Sequence, residues 1–119
     1  MAKTKSAAMK TLSDKHRLAE LSGVLKAIAH PSRLLIVEAL GETPHCVCEL
    51  TAMIGADTST VSKHLSVLKS AGVVIDEKRG NQVYYSLACR CVLDAVSRLT
   101  PIMERKLRHY SVILDKPRT

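Results

Sequence analysis

Apolar residues recur at intervals of three and four along the first half of the chain, which predicts consecutive amphipathic helices. The first stripe consists of Leu18, Leu21, Leu25 and Ile28. A second helix is expected to begin at Pro31, because proline suits the first turn of a helix and disfavours helical backbone in the residue before it. Its apolar positions extend from Leu34 to Leu40, and it is expected to stop near Gly41.

Two further helices lie so close together that they predict a helix-turn-helix. The first is short and runs from about residue 48 to residue 54, with Leu50, Met53 and Ile54 expected to face the interior. Gly55 should end it, and Asp57 or Thr58 should cap the next helix. That next helix ends near Gly72, and its inward positions are Val61, Leu65 and Leu68.

The hydrophobic period then changes. Residues 73–75 and 83–87 are β-branched or aromatic, and the polar cluster 76–82 between them predicts a turn, so this region is expected to be a β-hairpin wing. Helical spacing returns from residue 92 to residue 114, where Pro101 should kink or split the helix. The predicted fold is mainly α with a β-hairpin wing: a winged helix-turn-helix over residues 14–114, between a flexible basic arm (1–13) and a frayed tail (115–119).

The polar side of the second helix of the helix-turn-helix is the predicted DNA-reading surface, because hydroxyls contact bases or phosphates and lysine anchors phosphate. The candidate contacts there are Thr58, Ser59, Thr60, Ser62, Lys63, His64 and Lys69. At the wing tip, Arg79, Asn81 and Gln82 suit phosphate or minor-groove contact. For His64 the alternative is a structural hydrogen-bonding role, which a histidine beside a core stripe has more often.

Composition agrees with a nucleic-acid partner. The 119 residues carry a net charge of +7, which favours a polyanion. With three Tyr, no Phe and no Trp, the chain lacks the stacking platforms of a single-strand binder.

No apolar run approaches the roughly 18 residues of a membrane span, and the start does not resemble a secretory signal. The protein is therefore expected in the cytoplasm, where its four cysteines favour ligand or redox roles over disulfides.

Four ordered motifs resemble the ArsR/SmtB family of bacterial metal-responsive repressors. They are AHPSRLLIV at 29–37, CVCEL at 46–50, STVSKHL at 59–65 and GNQVYY at 80–85. The resemblance covers about residues 16–110. It implies a homodimer, joined through its first and last helices, that binds an inverted-repeat operator in double-stranded DNA and leaves it when metal binds. CVCEL looks like the family's metal-binding box, best known from arsenic and antimony sensors.

The chain departs from the metal sites that the resemblance implies. Thr51 stands where arsenic sensors have a third box cysteine, so the box alone cannot form a trigonal thiolate site. Cys89 and Cys91 stand at the Asp-x-His positions of zinc sensors, but Ile102 and Arg105 occupy the later ligand positions. The standard four-ligand zinc site is therefore absent, and the arm contributes no cysteine.

The pairs Cys46/Cys48 and Cys89/Cys91 are the candidate inducer ligands. Residues i and i+2 point about 200° apart in a regular helix but share a face in extended chain, and both pairs lie at predicted element boundaries. Soft thiolates favour As(III), Sb(III), Cd(II), Pb(II), Zn(II) or Cu(I). His45 could add a nitrogen ligand, although an exposed structural role at the helix start is the more frequent one. Free cysteines can also be small buried hydrophobes.

Other functions stay open at this point. A repressor of the same fold could sense thiol oxidation or persulfide through the same cysteines. A thiol oxidoreductase or a metal buffer would need a Cys-x-x-Cys near a βαβ pattern or many more cysteines. No nucleophile–base–acid constellation indicates an enzyme. The sequence therefore predicts a repressor released by a thiophilic ion, with As(III) or Sb(III) favoured.

Overall fold

A computed structural model describes residues 13–114, with side chains as far as Ser111. The chain divides between Cys89 and Arg90 into two units. In the described residues the first unit holds four helices and three strands, and the second holds one helix. Of the predicted arm only Ser13 is described, and the predicted tail at 115–119 lies outside the described residues.

The first two helices are α1 (Asp14–Ile28) and α2 (Pro31–Glu42), and short-range hydrogen bonds explain where they begin. Ser13 Oγ accepts the N–H of His16 at 3.0 Å and caps α1. His30 is extended ahead of Pro31, and its Nδ1 accepts the N–H of Ser32 at 3.0 Å. The predicted break between these helices is therefore confirmed.

The helix-turn-helix consists of α3 (Val47–Ile54) and α4 (Thr58–Ser70). Gly55 ends α3 with φ of 76°, in the left-handed region that glycine enters without a Cβ penalty. Asp57, one of the two predicted caps, accepts the N–H of Thr60 at 2.7 Å and begins α4. Leu50 is buried as predicted, but Met53 is 48 % exposed, so its expected inward orientation is wrong.

The wing is a hairpin of β2 (Val74–Arg79) and β3 (Gln82–Leu87) and is longer than predicted. Residues 76–79 belong to the strand, and Arg79 pairs directly with Gln82, which leaves a two-residue loop. Gly80 has φ of 63° there. The charged side chains of 76–79 predicted a turn, but they are polar because this part of β2 is exposed.

A third strand, β1 (His45–Cys46), was not predicted. It pairs antiparallel with β3, with His45 opposite Tyr85 and Cys46 opposite Tyr84, so the sheet order is β1-β3-β2. The core of this unit lies between the helices and the sheet. Its fully buried side chains are Ile36, Val37, Leu50, Val61, Leu65, Leu68 and Val74.

The second unit is the helix α5 (Cys91–Leu114), which continues across Pro101. The predicted split near Thr100 is therefore not observed. The large apolar side chains on the exposed surface of α5 are Leu99, Ile102, Met103, Leu107 and Tyr110. In the part of the chain that the structure describes, no helix combines the length and the apolar character that crossing a membrane requires.

Candidate nucleic-acid interface and cysteine site

The predicted DNA-reading residues of α4 lie on its exposed side, with one exception. Val61, Leu65 and Leu68 are fully buried, which fixes the opposite side of the helix towards solvent. The exposed predicted residues are Thr58, Ser59, Thr60, Ser62, Lys63 and Lys69. Hydrogen bonds from Thr60 and Ser59 lower the pKa of the capping residue Asp57, which keeps its carboxylate charged.

His64 is the exception, because it is part-buried and turned towards α2. Arg33 donates from Nη1 to His64 Nδ1 at 3.1 Å, and the ring centroids of His30 and His64 are 4.6 Å apart. Burial, and then the neighbouring charges of His30 and Arg33, lower the pKa of His64. The structural role weighed for this histidine is the one these contacts favour.

Lys69 lies at the other end of α4, where it connects the helix to the wing. Its Nζ is 2.8 Å from Asp76 Oδ2 on β2, and this hydrogen bond raises the pKa of Lys69. The ammonium group already has an anionic partner within the protein. A contact of Lys69 with phosphate would therefore have to replace its hydrogen bond to Asp76, or form beside that bond on the same ammonium group.

The wing presents Arg79, Asn81 and Gln82 together at its exposed tip. The Arg79 guanidinium lies over the Tyr84 ring, 5.0 Å from its centroid, and Nη2 is 3.3 Å from Glu77 Oε2. Both contacts restrict the long arginine side chain while leaving it exposed, which suits a cation that meets a phosphate.

The first cysteine pair lies at the junction of β1 and α3. Cys46 is buried in the extended N-cap position, and Cys48 is exposed in the first turn of the helix. Glu49 Oε1 accepts hydrogen bonds from the Cys46 S–H and N–H groups, each at 3.2 Å. This is a capping box with a thiol at the N-cap position.

His45 completes this cluster and corrects a prediction. It is only 7 % exposed, not the exposed helix-start residue that was expected, and its Nδ1 donates to Glu49 Oε2 at 3.2 Å. Hydrogen bonds from the Cys46 side chain, then from its backbone, then from His45 lower the pKa of Glu49. The ionised Glu49 carboxylate therefore stabilises the folded protein at pH above its ordinary pKa of 4.5. This stabilisation is lost as the pH falls through the lowered pKa.

The second cysteine pair spans the boundary between the two units. Cys89 follows β3 and Cys91 is the first residue of α5, and both are exposed. Among the residues that the structure describes, no group of three or more His, Cys, Asp or Glu side chains is arranged to hold a metal ion. Thr51, at the missing third box position, donates from Oγ1 to the carbonyl of Val47 at 2.7 Å.

Sequence reasoning did not find two contributors to these surfaces. The spacing of Cys46 and Glu49 is that of a capping box, but the usual N-cap residue is serine or threonine, so the motif was not recognised. Arg33 was noted only as part of the AHPSRLLIV motif. No sequence signal links it to His64, because the two residues are 31 positions apart.

The geometry described above defines the chain as a winged helix-turn-helix protein, and comparisons with known proteins agree. Residues 30–76 match the family model described as bacterial regulatory protein, arsR family. The chain is 44 % identical over 78 residues to the HTH-type transcriptional repressor SmtB of Mycobacterium tuberculosis. That match covers 62 % of this chain and 58 % of SmtB, so the chain spans less than two thirds of this relative.

Two relatives match over more of their length. The uncharacterised HTH-type regulator Rv0081 of M. tuberculosis is 33 % identical over 91 residues, which cover 76 % of this chain and 80 % of that protein. Its crystal structure superposes with a TM-score of 0.71 over 83 % of this chain and 98 % of that one, at 30 % identity. A winged helix-turn-helix DNA-binding domain from Mycobacterium bovis, described as homodimeric, gives a TM-score of 0.71 at 28 % identity, over 82 % of this chain and 92 % of that domain. The chain belongs to the ArsR family of bacterial regulatory proteins.

Proposed function

We propose that the protein is a cytoplasmic transcriptional repressor that binds an inverted-repeat operator as a dimer and is released when a thiophilic ion binds its cysteines. The observation that carries this proposal is the exposed polar side of α4 beside an arginine-tipped wing, in a chain of the ArsR family. Two copies of α4 would enter successive major grooves about 34 Å apart. The net charge of +7 supports a double-stranded DNA partner.

Exposed apolar surface supports the dimer. Leu18, Leu21 and Leu25 of α1 are each about half exposed, and α5 carries a longer apolar set. Such surfaces are unfavourable in water and mark interaction sites. The homodimeric assembly of the M. bovis relative supports a second copy of this chain as the partner.

Glu49 supplies the proposed connection between the cysteines and the wing. Its carboxylate accepts hydrogen bonds from Cys46 and His45, and both of these residues belong to β1, which pairs with β3. Cys46 would hold an ion as a thiolate, after its S–H proton is lost to solvent or to the hydroxide that leaves arsenite as water, and Glu49 would then face a sulfur that no longer donates. The capping box would open, and both the start of α3 and strand β1 would shift.

Cys48 adds to this shift. It lies two residues after Cys46 and is already within the helix, so both sulfurs can meet one ion only if the backbone around Val47 leaves helical geometry. That change tilts α3 and, through the buried Leu50, disturbs the packing of α3 against α4.

Cys89 and Cys91 are the proposed auxiliary ligands. The favoured ions are As(III) and Sb(III), with Cd(II), Pb(II) and Zn(II) as other thiophilic candidates.

A thiol-redox or persulfide-sensing repressor of the same fold is the second candidate. The observation that favours it is that Cys48 is exposed in the first turn of α3. Exposed thiols react with oxidants without any coordination geometry. Both functions use the same cysteines and differ in the signal.

The deciding experiment begins with a duplex selected by the protein from a randomised DNA pool. Affinity is measured by fluorescence anisotropy at increasing salt, and then with arsenite, Cd(II), Zn(II) or a persulfide donor. Release by arsenite at a stoichiometry of one ion or less per chain supports the ion sensor. Release by the persulfide donor alone supports the second candidate, and selection of a site without dyad symmetry contradicts the dimeric operator model.

Arg79→Gln is expected to weaken binding to operator and to unrelated duplexes alike, because a phosphate contact carries no sequence information. The slope of log affinity against log salt should fall in magnitude by about one. Arg17→Gln on the exposed side of α1 is the matched control and should change neither quantity. A loss confined to the operator would assign Arg79 to base recognition.

Glu49→Gln is expected to bind arsenite and yet stay on the operator. The amide oxygen, in the place of Oε1, still accepts the Cys46 N–H, and because the amide is neutral it does not repel an ion-bound thiolate, so the capping box remains closed. Arsenite binding is followed by near-ultraviolet absorbance and operator affinity by anisotropy. Glu38→Gln, an exposed glutamate of α2, should respond like the wild type. Normal release of Glu49→Gln would contradict the proposed role of the capping box.

A further inference from the structure

Arg33, His64 and His30 form a joint between three helices, and the function proposed above makes no use of it. Arg33, in the first turn of α2, donates from Nε to the carbonyl of Ala27 near the end of α1. It also donates from Nη1 to His64 Nδ1 on α4, at 3.1 Å. The His30 ring lies against the His64 ring with centroids 4.6 Å apart. One guanidinium group therefore connects α1, α2 and the proposed DNA-reading helix.

The hydrogen-bond donors define the protonation state of this joint. A guanidinium group has only donors, so His64 Nδ1 must be the unprotonated acceptor and the ring hydrogen must be on Nε2. His30 Nδ1 accepts the backbone N–H of Ser32, so it is unprotonated too. A proton added to His64 Nδ1 would remove the acceptor of the Arg33 hydrogen bond and place positive charge beside the guanidinium group. The joint is intact only while His64 Nδ1 is unprotonated.

The surroundings of His64 favour this neutral state. The side chain is part-buried, and in the described part of the chain the charges that act on it are those of His30 and Arg33. Burial first, and then these two charges, lower its pKa. Because these effects favour the neutral ring, the joint is stable above the ordinary pKa of 6.5 and weakens as the pH falls below that value, through the lowered pKa.

We propose that Arg33 and His64 are positioning residues for operator binding, which hold α4 at the orientation in which its exposed side meets DNA. This inference rests on the operator-binding function proposed above. A direct phosphate contact would require His64 to share the exposed side of Ser62 and Lys63, whereas its Nδ1 is bonded to α2. His64 acts on DNA binding through Arg33 and makes no contact with the duplex.

The test compares variants that keep the joint with variants that break it. His64→Asn retains an oxygen near the position of Nδ1 and cannot titrate, so at pH about 7.5 it should bind the selected duplex nearly as well as wild type. Arg33→Met and His64→Leu should each weaken binding about tenfold, because each removes a hydrogen bond to a charged group. Their double variant should be no weaker than either single one. None of these variants should change the slope of log affinity against log salt, since none of them loses a phosphate contact.

A pH profile adds a readout that a merely structural role would not move. Between pH about 7.5 and about 5.5, wild type should weaken relative to His64→Asn by up to about tenfold for each pH unit below the His64 pKa. His16→Asn, an exposed histidine of α1, is the matched control and should follow the wild type. Strengthening of wild type on acidification, relative to His64→Asn, would show a direct imidazolium–phosphate contact and overturn the proposal.

A measurement without DNA separates the failure of this inference from failure of the proposed function. Nitrogen-15 chemical shifts of the His64 ring report which nitrogen carries the hydrogen, and Nε2–H is expected. A wild type with the hydrogen on Nδ1 overturns the joint whatever the DNA result. If the wild type selects no duplex, operator binding itself is wrong. Binding by wild type and equally by Arg33→Met overturns only the positioning role.

Discussion

A protein in which Cys46 and Cys48 are both serine is expected to bind its operator like the wild type and to ignore arsenite. Serine keeps a hydroxyl at the N-cap, which can still donate to Glu49, so α3 should start at the same residue. It provides no soft ligand for the ion. Release of wild type by arsenite should correspond to a roughly 5- to 150-fold fall in affinity, typical of allosteric coupling. In anisotropy titrations the operator affinity of the double variant should stay unchanged when arsenite is added.

The pair Cys89→Ser with Cys91→Ser is the matched control for this experiment. If these cysteines form an auxiliary site, the variant should remain partly responsive, with a higher arsenite concentration at half-release. Equal release of the Cys46/Cys48 double variant and the wild type would move sensing to the second pair. The capping-box mechanism would then be wrong.

Leu99→Glu is expected to convert the dimer into monomers or aggregates. Leu99 is 52 % exposed on α5 within an apolar stripe, and a two-fold interface would bury the new charge once in each chain. An unpaired buried charge costs about 3–5 kcal/mol, so the dimer dissociation constant should rise by at least about a hundredfold. Sedimentation velocity over a range of protein concentrations measures the change, and operator binding should fall with the dimer population.

Leu35→Glu controls for the loss of a surface leucine. Leu35 is 40 % exposed on α2 and lies outside the proposed interface, so this variant should sediment as the wild type does. An unchanged dimer in Leu99→Glu would place the interface elsewhere. Circular dichroism of both variants separates dissociation from unfolding.

The helix-turn-helix could be predicted because its signals are local. A glycine in the left-handed region ends α3, a carboxylate two residues later caps α4, and the buried positions of α4 recur every three or four residues. Each of these effects acts within one or two helical turns. The exposed predicted contacts of α4 follow from the same periodicity.

The errors concern the end of β2 and the split expected near Pro101, where polarity or a single residue was taken to end an element, and the buried side of α3. Residues 76–79 are charged because that part of β2 is exposed, and they still pair with β3. Pro101 removes one backbone hydrogen bond, but the remaining turns of α5 continue past it. Met53 fits the apolar spacing of α3, yet it faces solvent, because burial depends on which neighbours pack against each side of a short helix.

The sequence by itself determined the order of the helices, the helix-turn-helix, the existence of the wing and the positions of the two cysteine pairs, because capping, proline and side-chain period act between near neighbours in the chain. Only the tertiary structure decided what surrounds the predicted site residues. Pairing of β1 with β3 buries His45 and places Cys46 opposite Tyr84, and packing of α2 on α4 brings Arg33 to His64 across 31 positions. Contacts of this kind depend on how distant segments close upon one another, which no local pattern encodes.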